Sequence, residues 1–202
     1  MSDTTISAKT LRSMDNVIRD FKKEKVSDQV DLQSAFSTAI NGWADKKERI
    51  LNTFHGLPVT DQIFFVASDN ASDRTAFMAD VLADLREGED WLVLVCSSAS
   101  DINEGICADL EKELAIKATS GSMISRINDC LIEADRRHMR VLVFVDDVAD
   151  TQPMRAFAHV FQMEISRNRP LYFIGAGTEK DINELSSEKD VAFLYRVPKI
   201  KL

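Results

Sequence analysis

The chain has 202 residues, 45% of them hydrophobic, and a formal net charge of −8. This length suits one domain, or one domain with a helical extension, and the apolar content is enough for a substantial core. No apolar run approaches the roughly 20 residues that a membrane-spanning helix needs, and the amino terminus MSDTTISAKT lacks the layout of a signal peptide, so we expect a cytoplasmic protein.

Charge and cysteine content exclude further classes. An acidic balance repels phosphate backbones and argues against direct nucleic-acid binding unless a basic face is hidden in the fold. Two short basic islands, FKKEK at 21–25 and DRRHMR at 135–140, fit solvated helix faces. Three widely spaced cysteines, Cys96, Cys107 and Cys130, predict buried thiols rather than a disulfide framework or metal ligands.

Helical periodicity dominates the first quarter of the chain. Apolar residues at helical spacing predict an amphipathic helix from Ala8 to Lys25, a second helix from about Ser27 through Trp43, and a third from about Lys46 to Phe54. Gly56-Leu57-Pro58 then ends the helical pattern. We therefore predict an N-terminal helical extension over residues 1–57 and an α/β domain over residues 58–202.

From residue 58 onward, short apolar runs alternate with amphipathic stretches, which is the pattern of βα units. The pattern predicts five parallel strands covered by helices. The predicted strands are 62–68, 91–97, 140–147, 171–177 and 191–197. The predicted helices are Thr75–Arg86, Asp101–Leu114, Ser122–Arg137 and Met154–Arg167.

Two acids end the third predicted strand, in the segment VLVFVDDVAD at 141–150. Open α/β sheets bind ligands outside the carboxyl ends of their strands, so Asp146 and Asp147 resemble the Walker B element of P-loop nucleotide hydrolases. In that interpretation Asp146 orients magnesium and Asp147 holds the position of the water-activating acid. The alternative is that the two acids simply open a strand-to-loop turn.

The order of elements, the acid-tipped third strand, and the segments RNRPLYFIGAGTEKDINEL and VAFLYRVPKIKL resemble the core of AAA-type ATPases. More narrowly, residues 28 to 202 are similar to the bacterial origin-recognition-like and STAND-related ATPases. The resemblance implies a three-layer, P-loop NTPase-like sandwich that assembles side by side. That family continues into a helical lid, whereas this sequence ends at Leu202, so we expect either a shortened chain or a protein without a lid.

The first loop departs from the family pattern. A phosphate-binding loop needs GxxxxGK followed by Ser or Thr, and the segment Ser68–Thr75 stands in its place. Only Thr75 matches, because Ser68 and Asp73 occupy the glycine positions and Arg74 replaces the lysine. We expect the next helix to begin after Asp73 or Arg74, with Asp73 as its N-cap.

These features predict a non-catalytic, pseudo-ATPase domain that binds no cofactor and acts through a protein partner or self-association. The alternative is a residual ATPase with a non-standard loop. In that case Arg74 and Thr75 would bind ATP, Thr75 and Asp146 would hold magnesium, and Asp147 would be the catalytic residue.

Overall fold

The computed structural model describes residues 43–55, 62–88, 90–96, 102–116 and 121–202. The two predicted helices before Trp43 and the predicted stop at 56–58 lie outside these residues, so the domain boundary at 57 and 58 stays a prediction. Among the helices in these ranges, none has the length and apolarity needed to cross a membrane.

One five-stranded, all-parallel sheet organises the described residues, with the strand order β2-β3-β4-β1-β5. Its strands are β1 Ile63–Ala67, β2 Trp91–Cys96, β3 Arg140–Val145, β4 Leu171–Gly177 and β5 Lys199–Lys201. The helices are α1 Ala44–His55, α2 Ala71–Glu87, α3 Ile102–Glu113, α4 Met123–Arg136, α5 Gln152–Ser166 and α6 Glu179–Ser187, followed by a 3-10 helix over Lys189–Arg196. The first four predicted strands, the third N-terminal helix and the four domain helices are confirmed.

The sheet divides the core into two apolar layers. Phe64 and Val66 of β1 pack with α1 and α2 on one face, whereas Phe65 and Ala67 pack with α3, α4, α5 and α6 on the other. This alternation follows from the two-residue period of a strand. Helices therefore cover both faces, which confirms the predicted three-layer α/β sandwich.

The predicted strand over 191–197 is wrong, because this segment belongs to the 3-10 helix Lys189–Arg196 and the turn after it. Its buried apolar residues are Val191, Leu194 and Val197, whereas Tyr195 is 74% exposed. A spacing of three fits a helix with three residues per turn and not a strand, whose side chains alternate. The fifth strand instead follows Pro198 as the short edge strand β5, which pairs with β1.

The predicted elements do not include helix α6, which follows β4. Thr178 is its N-cap: the hydroxyl accepts a hydrogen bond from the Asp181 amide at 3.1 Å and donates one to the Asp181 carboxylate at 2.5 Å. The Thr-x-x-Asp pattern is a capping signal that the sequence does contain. Thr178 therefore starts the helix by capping its first turn.

Gly175 and Gly177 lie within β4, so the strand continues through Gly175-Ala176-Gly177 without a turn. Neither glycine has a positive φ. Their function is close packing, because a Cβ on Gly175 would lie 2.7 Å from a Val148 methyl and 2.8 Å from the Phe65 ring. The chain leaving β3 therefore passes directly over the end of β4.

We expect Gly175→Ala to lower the free energy of unfolding by about 1–3 kcal/mol, because the added methyl has no space in the packed core. Gly105→Ala is the matched control, since a Cβ there meets no atom within 4 Å and the residue lies inside α3. That control should gain about 0.5–1 kcal/mol from helix propensity. Urea denaturation measures both changes, and equal effects would contradict the packing described.

The three cysteines are free thiols, with Cys107 and Cys130 buried and Cys96 half-buried. Burial raises the pKa of the Cys130 thiol to about 11, and the nearby Glu111 and Cys107 add to the increase. Since the thiolate is the reactive form, Cys130 stays protonated until the pH approaches that value. The buried thiols predicted from the sequence are confirmed for Cys107 and Cys130, whereas Cys96 is only half-buried.

A thiol reagent at pH 8 should therefore modify Cys96 in the native protein and leave Cys107 and Cys130 unmodified for much longer. At that pH about one Cys130 side chain in a thousand is a thiolate. All three cysteines should react in denaturant, and Cys96→Ser should abolish the native reaction. Rapid native modification of three thiols would show that the α3 and α4 layer is open.

Candidate functional site

The candidate site lies where the chain reverses direction across the sheet. β1 and β4 are neighbours, but α2 follows β1 onto one face and α6 follows β4 onto the other. Such a switch point opens a crevice at the carboxyl ends of the strands, where α/β folds bind ligands. Backbone hydrogen bonds from Ser68 to Gly177 and from Val148 to Ala176 bring the three strand ends together here.

The connection from β1 to α2 is shorter than predicted. Asn70 is the N-cap, and its side chain accepts a hydrogen bond from the Ser72 amide at 3.0 Å. Helix α2 therefore begins at Ala71, and only residues 68–70 separate it from β1. The predicted helix start after Asp73 or Arg74 and the predicted Asp73 cap are both wrong. Asn70 already satisfies an amide at this helix terminus, so the chain has no need of a later cap.

Arg74 is the central side chain of the site. It is 4% exposed, and its guanidinium donates to the Ser68 carbonyl at 2.5 Å and to Asp147 Oδ1 at 2.6 Å. Its Nε also lies 3.9 Å from Asp146 Oδ1. One buried cation thus connects the end of β1, the second turn of α2 and both acids after β3.

The two acids occupy different environments. Asp146 is fully buried, and its Oδ1 accepts a hydrogen bond from the Asp147 amide at 3.1 Å. Asp147 is 54% exposed and has a φ of 56°, in the left-handed region that aspartate tolerates better than most residues. This backbone conformation turns the Asp147 carboxylate towards Arg74.

The structure therefore brings together three of the four predicted site residues, namely Arg74, Asp146 and Asp147. Thr75 is buried in α2, one position after Arg74. The residues missed from the sequence are Ser68, which contributes a backbone carbonyl, and Asn70, which contributes the cap. The sequence does indicate the role of Asn70, because asparagine is a favoured N-cap residue. The sequence does not indicate which backbone carbonyl, such as that of Ser68, accepts a hydrogen bond from a side chain.

Two further arginines, Arg155 and Arg167, form local ion pairs outside this site. Arg155 lies 3.2 Å from Asp150 and 3.4 Å from Glu188, and Arg167 lies 2.7 Å from Glu164. Within the described part of the chain, no group of three or more His, Cys, Asp or Glu side chains is arranged to hold a metal ion.

Comparisons with known proteins support the fold. No family model and no curated protein matches the chain. A chain of the structure of Drosophila ORC bound to GC-rich DNA and Cdc6 matches with a TM-score of 0.54 at 9% identity, over 100% of this chain and 61% of that chain. The present chain thus spans under two thirds of that neighbour.

Two further solved structures are less similar. C. elegans PCH-2 has a TM-score of 0.41 at 11% identity, covering 90% of this chain and 45% of that chain. A chain of the E. coli MS115-1 HORMA:CdnC:Trip13 complex has a TM-score of 0.47 at 13% identity, covering 98% and 67%. At these identities the likeness concerns the fold alone.

Arg74→Ala should lower the free energy of unfolding by about 3–5 kcal/mol, because it leaves the Asp146 carboxylate buried without its cation. Adding Asp146→Asn to that variant should recover part of the loss, since the unpaired buried charge is then gone. Arg49→Ala, at an exposed position of α1, should stay within about 0.5 kcal/mol of the parent. Urea denaturation distinguishes these variants. A fully stable Arg74→Ala protein would mean that Asp146 does not depend on the arginine.

Proposed function

We propose that this chain is a non-catalytic, AAA-like domain that acts by binding a protein partner and not by hydrolysing ATP. The observation that carries the proposal is the buried Arg74 side chain, which joins Ser68 O to Asp147 where the AAA-type resemblance expects a nucleotide phosphate. The domain keeps the sheet and its switch point, but its own guanidinium neutralises the acids that would otherwise hold magnesium.

The loop supports this proposal through its length. A phosphate-binding loop wraps its backbone amides around the phosphates, and this requires several residues between strand and helix, with glycine at close-approach positions. Here the connection is 68–70, with no glycine. The Ser72 amide bonds to the Asn70 side chain and the Arg74 amide to the Asn70 carbonyl, so both groups already have acceptors. This short, capped connection does not fit a triphosphate.

Charge supports the proposal as well. A phosphate at Asp147 would have to displace a 2.6 Å ion pair and then face Asp146 and Asp147. Each like-charge contact at about 4 Å costs roughly 1–4 kcal/mol between water and a protein surface. Micromolar affinity amounts to only about 8 kcal/mol, so two such contacts remove much of it. These charges disfavour a phosphate bound without a metal, and magnesium would have to compete with the Arg74 guanidinium for the Asp147 carboxylate.

Asp147 is also poorly suited to activate water. Arg74 donates to its Oδ1 at 2.6 Å, so this oxygen faces the guanidinium and not the position of an attacking water. Aspartate is one methylene shorter than the glutamate that the AAA-type resemblance implies. These features support a binding function over the alternative, a residual ATPase that uses Arg74, Thr75, Asp146 and Asp147.

Titration with a fluorescent ATP analogue and magnesium tests the proposal. We expect a linear signal without saturation up to about 1 mM analogue, because Arg74 and the Asn70 cap already use the groups that would bind phosphate. A working P-loop ATPase under the same conditions controls for the probe. Saturable micromolar binding that disappears in Asp146→Ala would overturn the proposal in favour of the residual ATPase.

A further inference from the structure

The fold assembles a basic surface from two separate turns. The turn from α4 to β3 carries Arg136, Arg137 and Arg140, and the turn from α5 to β4 carries Arg167 and Arg169. Because β3 and β4 are neighbours, these turns lie side by side, with the Val141 amide bonded to the Pro170 carbonyl at 2.7 Å. We call these five arginines, at the amino-terminal end of the sheet, the arginine edge.

Carboxylates support the arginine edge, but among the residues that the structure describes fewer carboxylates than arginines take part in its ion pairs. Glu133 is shared by Arg136 and Arg137, each at 2.6 Å. Glu164 lies 2.7 Å from Arg167 and 4.0 Å from Arg169. Their remaining acidic partners are Asp90, at 3.1 Å from Arg140, and Asp135, at 3.9 Å from Arg169. Five guanidinium groups thus share four carboxylates, in a chain whose formal net charge is −8.

The shared acids lie deeper than the arginines they hold. Glu164 is fully buried while Arg167 is 48% exposed, and Glu133 is 21% exposed while Arg136 is 71% exposed. The acids therefore hold the guanidinium groups from the side of the protein interior. Each guanidinium carries five N–H donors, and Arg136 uses two of them on Glu133. Arg137 and Arg140 also donate to the Leu114 and Phe54 carbonyls, so the outward donors are chiefly those of Arg136 and Arg167, which are 71% and 48% exposed. Such guanidinium donors bind carboxylates in a fork.

We propose that the arginine edge is a docking surface for a short acidic segment of a partner protein. This inference rests on the proposed partner-binding function and specifies the chemistry of the partner. The bound segment presents two or three carboxylates, since β2, β3 and β4 together span only about 10 Å at the spacing of strands. A guanidinium pairs with each carboxylate through charge-assisted hydrogen bonds.

Size and surrounding charge favour a short acidic segment over a nucleic acid. A phosphate backbone carries charge continuously and would extend beyond the edge onto a strongly acidic protein, which repels it. Asp90 and Asp135 are 42% and 62% exposed at the border of the surface, and they add to this repulsion. A short segment held mainly by Arg136 and Arg167, which pair with Glu133 and Glu164 instead, meets this repulsion least.

Fluorescence anisotropy with a labelled peptide that contains four consecutive glutamates tests the proposal, with the same peptide carrying glutamines as the neutral probe. We expect saturable binding of the glutamate peptide at 50 mM salt, at least tenfold weaker binding at 500 mM, and none of the glutamine peptide. Arg136→Gln together with Arg167→Gln should weaken binding at least tenfold. Arg136→Gln alone, which disturbs no fully buried acid, should weaken it severalfold and covers the case in which the double variant fails to fold.

Arg155→Gln is the matched control, because Arg155 is also ion-paired and partly exposed but follows β3 at the opposite end of the sheet. Its affinity for the glutamate peptide should stay within twofold of the parent. Absence of peptide binding, equal losses in Arg155→Gln and Arg136→Gln, or tighter binding of a 12-nucleotide single-stranded DNA would each overturn the inference. So would salt-dependent self-association, seen by light scattering, that the glutamate peptide does not displace.

The two proposals fail separately. Saturable binding of the ATP analogue would refute the non-catalytic function whatever the peptide does. If neither probe binds, the acidic-segment inference is refuted while the case against nucleotide binding stands.

Discussion

The structure depends on how a buried carboxylate is neutralised. Asp146 ends a strand that is buried on both faces, and the carboxylate is itself fully buried, so it must have a cation or donors nearby. The AAA-type resemblance implies that this charge would be balanced at a metal and nucleotide site. Here Arg74 provides a guanidinium within 3.9 Å of Asp146 and pairs directly with Asp147.

The position of Arg74 one turn into α2 requires the helix to begin early, and the early start in turn shortens the loop after β1 to three residues. The buried cation, the early start of α2 and the short loop before it therefore depend on one another.

The sequence predicts most of the fold because strands buried on both faces leave continuous apolar runs. RVLVFV and LYFIGAG are such runs, and both became strands at nearly the predicted bounds. VAFLYRV has the same apolar density, but its burial repeats every three residues, and this appears only when α5 and α6 are in place to cover Val191 and Leu194. Local composition does not distinguish these cases. Capping signals do carry information that apolar runs lack, as Thr178 at α6 and Asn70 at α2 illustrate.

The sequence predicts which residues belong to the candidate site but not how they are arranged. Matching Ser68–Thr75 to a consensus loop identified Arg74 and Thr75, and the acids after β3 identified Asp146 and Asp147. The consensus also placed the helix start too late, because a pattern defined by glycines does not describe a loop that has none. Arg74 and Asp147 are 73 residues apart in the chain. No local signal indicates that they bond to each other rather than to a shared ligand.

The two ends of the sheet differ in how their charges are balanced. At the carboxyl end, Arg74 is buried between acids and donates to Ser68 O and to Asp147 Oδ1 within the protein. At the amino end, each of two carboxylates is shared by two arginines and lies deeper than they do, so fixed donors face solvent. An α/β sheet usually recruits its ligand at the carboxyl end, because the loops and helix termini there are open. A buried carboxylate needs a cation, and both ends of this sheet meet that requirement with an arginine: Arg74 lies beside Asp146 at the carboxyl end, and Arg167 pairs with Glu164 at the amino end.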